Sequence, residues 1–139
     1  MATPEDRPID FRIFKDIYLL ETHYSAGSEI LGPGKAIGLM YVVKSGVVSV
    51  QVQGVTVEEI RDGGIFGEMG MVDPKPHSAN IFAVTDVEAF VLNQTQFLQI
   101  VGASPTFALR VMKVLARRLR AMNARFHETS APLAEAPVG

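Results

Sequence analysis

Cysteine is absent from the 139 residues of this chain. Disulfides and thiolate metal sites are thereby excluded, and the composition suits a reducing compartment such as the cytoplasm. No stretch approaches the roughly 18 consecutive apolar residues that read as a membrane-spanning helix. The opening residues, MATPEDRPID, have neither a basic n-region nor an apolar h-region, so they do not read as a secretory leader. Histidine is sparse. His23, His77 and His127 lie far apart in no ligand motif, and no Ser/His/Asp arrangement is recognisable. The sequence therefore predicts no enzyme, no metal and no cofactor. Acids are missing from one segment only. Residues 105–126 carry Arg110, Lys113, Arg117, Arg118, Arg120 and Arg125 with no Asp or Glu, whereas residues 1–104 carry 7 Lys/Arg against 13 Asp/Glu. A formal net charge of −2 rules out a chain-wide attraction for nucleic acid. The basic segment is left as a solvated face, or as a contact for an acidic partner or a second subunit.

What is present fits one compact domain without internal repeats. Residues 1–9, with Pro4 and Pro8, are expected to be a loose arm, and the domain to occupy 10–127. Phe11 and Phe14 suggest a short helix at about 10–16, followed by irregular chain or strand. From 27 to 92 glycines punctuate β-branched runs. GVVSVQV alternates, with Val48, Val50 and Val52 pointing one way and Ser49 and Gln51 the other. Gly46 marks a bend, and Gly54 a turn before VTVEEI, in which Glu58 and Glu59 read as a turn-side charged pair. ANIFAVT and EAFVLN supply two further runs. Short strands at this spacing predict a small antiparallel sandwich or barrel.

The end of the chain reads as helical. NQTQFLQIVGAS predicts a short helix stopping near Gly102, and Ser104-Pro105 the cap and first position of a long one. Ala108, Met112, Leu115, Leu119, Met122 and Phe126 are spaced 4, 3, 4, 3, 4, a heptad seam. A helix over 105–126 would be about 33 Å long at the usual rise. That exceeds what a small barrel covers, so part of the seam is expected to pair with a second copy, giving a homodimer. Residues 128–139, ETSAPLAEAPVG, lack periodicity and are expected to form a disordered tail.

The chemistry concentrates in GGIFGEMGMVDPKPHSAN, residues 63–80. Gly67 and Gly70 permit a close backbone approach, and successive N–H groups in such a loop can cradle an anion. Glu68 would repel that anion and is better placed to accept from hydroxyls. Lys75 and His77 can add positive charge, and Ser78 offers a hydroxyl and an N–H. A phosphorylated sugar satisfies this combination; a glycine-rich barrel turn with a surface Glu is the plainer reading.

This stretch resembles the phosphate-binding cassette of cyclic nucleotide-binding domains: Phe66-Gly67-Glu68, an apolar stretch, then Ser78-Ala79 before a strand. YSAGSEILGPGKAIGLMYVVKSGVVSV is similar to the family's opening strands, and FALRVMKVLARRLRAMN to the long final helix of bacterial cAMP-receptor-type regulators. The resemblance covers about residues 11–126. It implies a mostly β fold, a double-stranded β-helix (jelly-roll) barrel with a short N-terminal and a long C-terminal helix. The implied function is a regulatory module that binds cAMP or cGMP and signals through the last helix. Gly67 would contact the cyclic phosphate, Glu68 the ribose 2′-OH, and Ser78 and the Ala79 N–H the phosphate oxygens. Val50, Ile65 and Met69 would line the pocket.

Two positions depart from the family pattern. His77 stands where the family has a phosphate-binding Arg, and His is neither permanently charged nor bidentate. Losing one charge-assisted hydrogen bond costs about 1.5–3 kcal/mol. On the last helix, Met122 and Asn123 stand where a Thr-Ser pair reads adenine; Met122 can pack on a base, and Asn123 can offer an edge contact. The alternative is a degenerate member that no longer binds nucleotide and serves as a dimerising or partner-binding scaffold. The resemblance stops short of a helix-turn-helix, so a stand-alone sensor rather than a DNA-binding regulator is expected.

Overall fold

A computed structural model of the protein describes residues 9–32, 38–72 and 79–134, the side chains of residue 72 and of 125–134 excepted. Ile9, the last residue of the expected arm, is buried and donates its N–H to the Gly63 carbonyl at 3.3 Å; residues 1–8 lie outside the described residues. The helix expected at 10–16 is a single 3-10 turn, Phe11–Phe14, capped by the Asp10 carboxylate, which accepts from Arg12 N–H at 3.0 Å.

Among the described residues eight strands follow, interrupted by one helical turn: β1 Leu20–Tyr24, β2 Glu29–Leu31, β3 Leu39–Ser45, β4 Val48–Val52, β5 Val55–Ile60, β6 Ile65–Phe66, α1 Glu68–Val72, β7 Asn80–Ala83 and β8 Val87–Asn93. They form two antiparallel four-stranded sheets, ordered β1-β8-β3-β6 and β2-β7-β4-β5. This is the expected β barrel with flanking helices. The β4–β5 hairpin turns on Gln53 and Gly54, both with positive φ (52° and 79°), as the twist-matched two-residue turn requires. Gly46 joins β3 to β4 at φ 109°, where a Cβ would lie 2.3 Å from the Asp86 carbonyl oxygen.

Alternation along the strands divides the core in two. Tyr41, Val43, Val48, Ile60, Phe66, Ile81 and Val87 fill the barrel between the sheets. Met40, Val42, Ile65 and Leu92 point the other way and meet the helical layer. That layer is α2, Gln94–Ala103, and α3, Thr106–Ala134. α2 starts with a reciprocal capping box between Asn93 and Gln96, each bond 2.9 Å. Ser104 closes α2, and its carbonyl accepts from Phe107 N–H at 3.0 Å as α3 begins. α3 runs past the expected end near 126, through residues 128–134 that the sequence predicts as tail. Extending a nucleated helix costs little, and Glu128 and Ala131 are good helix formers; Pro132 has no N–H to donate back to the preceding turn, and the helix ends two residues after it. Residues 135–139 lie outside the described residues. No helix among the described residues is long and apolar enough to cross a membrane.

Candidate functional site

Where β6 ends, Phe66 stacks on Tyr41 inside the barrel, with ring centroids 4.7 Å apart. The chain must then reverse over the sheet edge. Gly67 does this at φ +79°, and a Cβ there would lie 2.8 Å from the Leu39 carbonyl oxygen. Both the backbone region and the space demand glycine. The Gly67 carbonyl accepts from Met71 N–H at 3.3 Å, winding the five-residue α1. Gly70 lies close to Gly38, whose N–H donates to the Gly70 carbonyl at 3.1 Å.

Glu68 heads α1 and is buried, its side chain only 3% exposed. A carboxylate at that depth needs a compensating charge. Arg118 of α3 supplies it. One guanidinium donates from Nη1 to Glu68 Oε1, from Nη2 to the Ile65 carbonyl, and from Nε to Glu58 Oε1 at 2.9 Å. Burial alone would lower the Arg118 pKa; Glu68 and then Glu58 outweigh it and hold the guanidinium above its ordinary value. Arg118 thus ties the glycine loop, the end of β5 and the last helix to one point.

Glu58 is not a turn-side residue. It sits opposite Val50 in the β4–β5 register, on the same face as the Val48–Ile60 pair, whose side chains fill the barrel. Val50 packs against that core too. A cavity of about 250 Å³ opens between α3 and the β5–β6 segment, lined among others by Glu58, Gly63, Ile65, Arg110, Val114 and Arg118.

The expected site residues are only partly brought together. Glu68 lies at the centre with Gly67 beside it. Ala79 is half-buried at the start of β7, and Met69 is 66% exposed on the outer side of α1. Ile65 turns its side chain into the helical layer and offers its carbonyl. Met122 and Asn123 are exposed on α3, Met122 one turn beyond Arg118. His77 and Ser78 lie outside the described residues, as do Lys75 and both loop prolines. Arg118 was read as part of a basic face open to an acidic partner; its acidic partners are inside this chain. Phe107, Val111, Val114 and Arg118 are spaced 4, 3, 4, and that continuation of an apolar stripe by a cation was the signal for it. Among the described residues no group of three or more His, Asp or Glu could hold a metal ion.

Comparison with known proteins agrees with this geometry. The model of the cyclic nucleotide-binding domain matches residues 21–104. Glutaminase 2 of Bradyrhizobium diazoefficiens is 34% identical over 114 residues, covering 78% of this chain and 18% of that protein. The Cyclic AMP receptor protein of Thermus thermophilus is 32% identical over 108 residues, 74% of this chain and 50% of the relative. This chain therefore spans half or less of the length of these relatives. Among solved structures, the Thermus thermophilus Catabolite Activator Protein superposes with a TM-score of 0.70 at 26% identity, covering 85% of this chain and 62% of the other. A glycine-bounded loop with a buried glutamate, set on an eight-stranded barrel under a long helix, and a family match across the barrel lead to one assignment: the chain belongs to the cyclic nucleotide-binding domain family.

Proposed function

We propose that this domain is a sensor for a 3′,5′-cyclic nucleotide, cAMP or cGMP, and that ligand occupancy is passed to α3. The observation that carries the reading is Glu68, a buried carboxylate directly after Gly67, which turns the chain at φ +79°, and bonded to a side chain of the last helix. A carboxylate has about four acceptor sites, so Glu68 can take a ribose 2′-OH while still facing Arg118. Any change in its bonding is felt by α3 through the same guanidinium. A ligand shifts α3 only by as much as its affinity differs between two arrangements of that contact. The phosphate contacts are assigned to the Gly67 and Ala79 backbone and to Ser78 and His77. The role is regulatory and non-catalytic, in a reducing cytoplasm.

The rest of α3 suggests how the signal leaves. Met112, Leu119 and Met122 are 54%, 58% and 61% exposed and lie along the heptad seam. They suit pairing of two copies along this helix.

A second reading, a degenerate domain acting as a scaffold, is favoured by the same contact: Arg118 already satisfies Glu68. Calorimetric titration of cAMP and cGMP at pH 6 and pH 8 separates the two. A sensor using His77 as its phosphate cation binds more tightly as pH falls through about 6.5. If the wild type binds neither nucleotide while His77→Arg does, the scaffold reading stands. If His77→Arg also fails to bind, the loop is not a nucleotide cassette.

A further inference from the structure

We propose that the cavity between α3 and the β5–β6 segment is a second ligand site, separate from the glycine loop, and that it takes a small phosphate dianion through Arg110 and Arg117. None of Gly67, Glu68 and Ala79 lines this cavity. Its volume of about 250 Å³ falls below the roughly 300–1,000 Å³ of pockets for drug-sized ligands, so an ion or a small metabolite fits it better than a nucleotide.

Four guanidinium groups, on Arg61, Arg110, Arg117 and Arg118, face the carboxylates of Glu58, Glu59 and Asp62 across it. The carboxylates are engaged. Glu58 accepts from Arg118 Nε at 2.9 Å, Glu59 from Arg61 Nη2 at 3.2 Å, and Asp62 from the Gly46 N–H at 2.9 Å. Asp10 is a fourth carboxylate, close enough to Arg110 to feel its charge. Bonds from Arg12 hold the Asp10 carboxyl down at about 2, and Arg110 adds to the effect. Residues 105–126 carry no acid, so nothing on this part of α3 competes for its cations.

Arg110 is left over. Its Nε is buried, and among the described residues no acceptor bonds it. A buried donor on a permanently charged group is costly to leave unpaired. Arg110 already forms part of the cavity wall, so a turn of its side chain inward gives that donor an anionic acceptor. Arg117 stands two turns further along the same face of α3, about 10.5 Å away by helical rise, with Val114 between them as an apolar wall. Two planar forks reaching from one helix suit a tetrahedral oxyanion, whose several oxygens accept from both. The Gly63 and Gly64 N–H groups on the opposite wall donate to the Val43 and Arg61 carbonyls, so the contact falls to the side chains.

The test is titration of the whole chain with inorganic phosphate and with glycerol phosphate, followed by backbone amide shifts, with chloride at matched ionic strength as the control. Gly63, Gly64 and Val114 should shift saturably with phosphate and not with chloride, whether or not Gly67 and Ala79 shift too. Arg110→Gln should weaken the affinity read at Gly63 by about 10- to 150-fold, the worth of one charge-assisted bond. Arg120→Gln, exposed on α3 and outside the cavity, should leave it unchanged. Tighter binding of glycerol phosphate assigns the site to an organic phosphate, and equal or weaker binding to the free ion. No saturable shift at Gly63, Gly64 and Val114 overturns the inference, as does an affinity at Gly63 that survives Arg110→Gln. Shifts at Gly67 and Ala79 alone also overturn it, and would support the sensor reading instead. The wild-type shifts need no variant, so a poorly folding Arg110→Gln leaves the question decidable.

Discussion

The two flanks of α3 carry almost the same sequence pattern and have opposite fates. Phe107, Val111, Val114 and Arg118 repeat at 4, 3, 4 and are turned into the domain. Ala108, Met112, Leu115, Leu119 and Met122 repeat at 4, 3, 4, 3, one residue further round; Leu115 still packs on the core, while Met112, Leu119 and Met122 are more than half exposed. Periodicity therefore shows that a helix has an apolar stripe, and it does not show which stripe the domain itself uses. Volume and shape decide that. Phe107 packs edge-on against Phe14 and tilted against Phe97, filling the gap between the 3-10 turn and α2, and the flexible methionines are left outside.

The largest effect expected from this contrast lies on the inner flank. Phe107 is 1% exposed, and Phe107→Ala should destabilise the domain by about 3–5 kcal/mol in urea unfolding. A change below about 1 kcal/mol would mean that α3 is not docked through this flank, because a surface substitution falls in that range.

Arg118 tests whether a cation can belong to the buried flank. Removing one partner of a buried ion pair costs about 3–5 kcal/mol. The Arg118 side chain is 21% exposed and that of Glu58 is 36% exposed, so solvent recovers part of the loss. About 2–4 kcal/mol is expected for Arg118→Ala by the same unfolding measurement. Adding Glu68→Gln should restore part of it, since the uncompensated charge is gone. A double variant no better than the single one would show that the guanidinium acts by packing alone.

How much of this was legible in the sequence follows from which signals are local. The β4–β5 hairpin could be read because its alternation and its Gly54 turn lie within about a dozen residues. The α2 helix could be read in the same way, although its Asn93–Gln96 capping box was not. β1 was blurred because Tyr18, Leu19 and Leu20 are consecutive apolar residues; Leu19 is buried while Tyr18 and Leu20 are exposed. Glu58 was misread because its neighbour Glu59 faces outward to Arg61, and two adjacent acids look like one surface pair. The cassette resemblance singled out Glu68 as a ligand residue. Its partner Arg118 was hidden by 50 residues of separation, since only the folded barrel brings α1 beneath α3.

The outer flank should give the smallest change in stability and the clearest change in assembly. Leu119 is 58% exposed, so Leu119→Ser should alter the unfolding free energy of an isolated domain by no more than about 0.5 kcal/mol. If two copies pair along α3, the same substitution places a hydroxyl in an apolar seam and weakens the dimer, which sedimentation equilibrium reads as a shift toward the monomer mass. Met112→Ser should act in the same direction and Lys113→Ser should not, since Lys113 lies off the seam. A wild type that is monomeric at every concentration would leave the outer flank as surface, and the contrast between the two flanks would then be one of burial only.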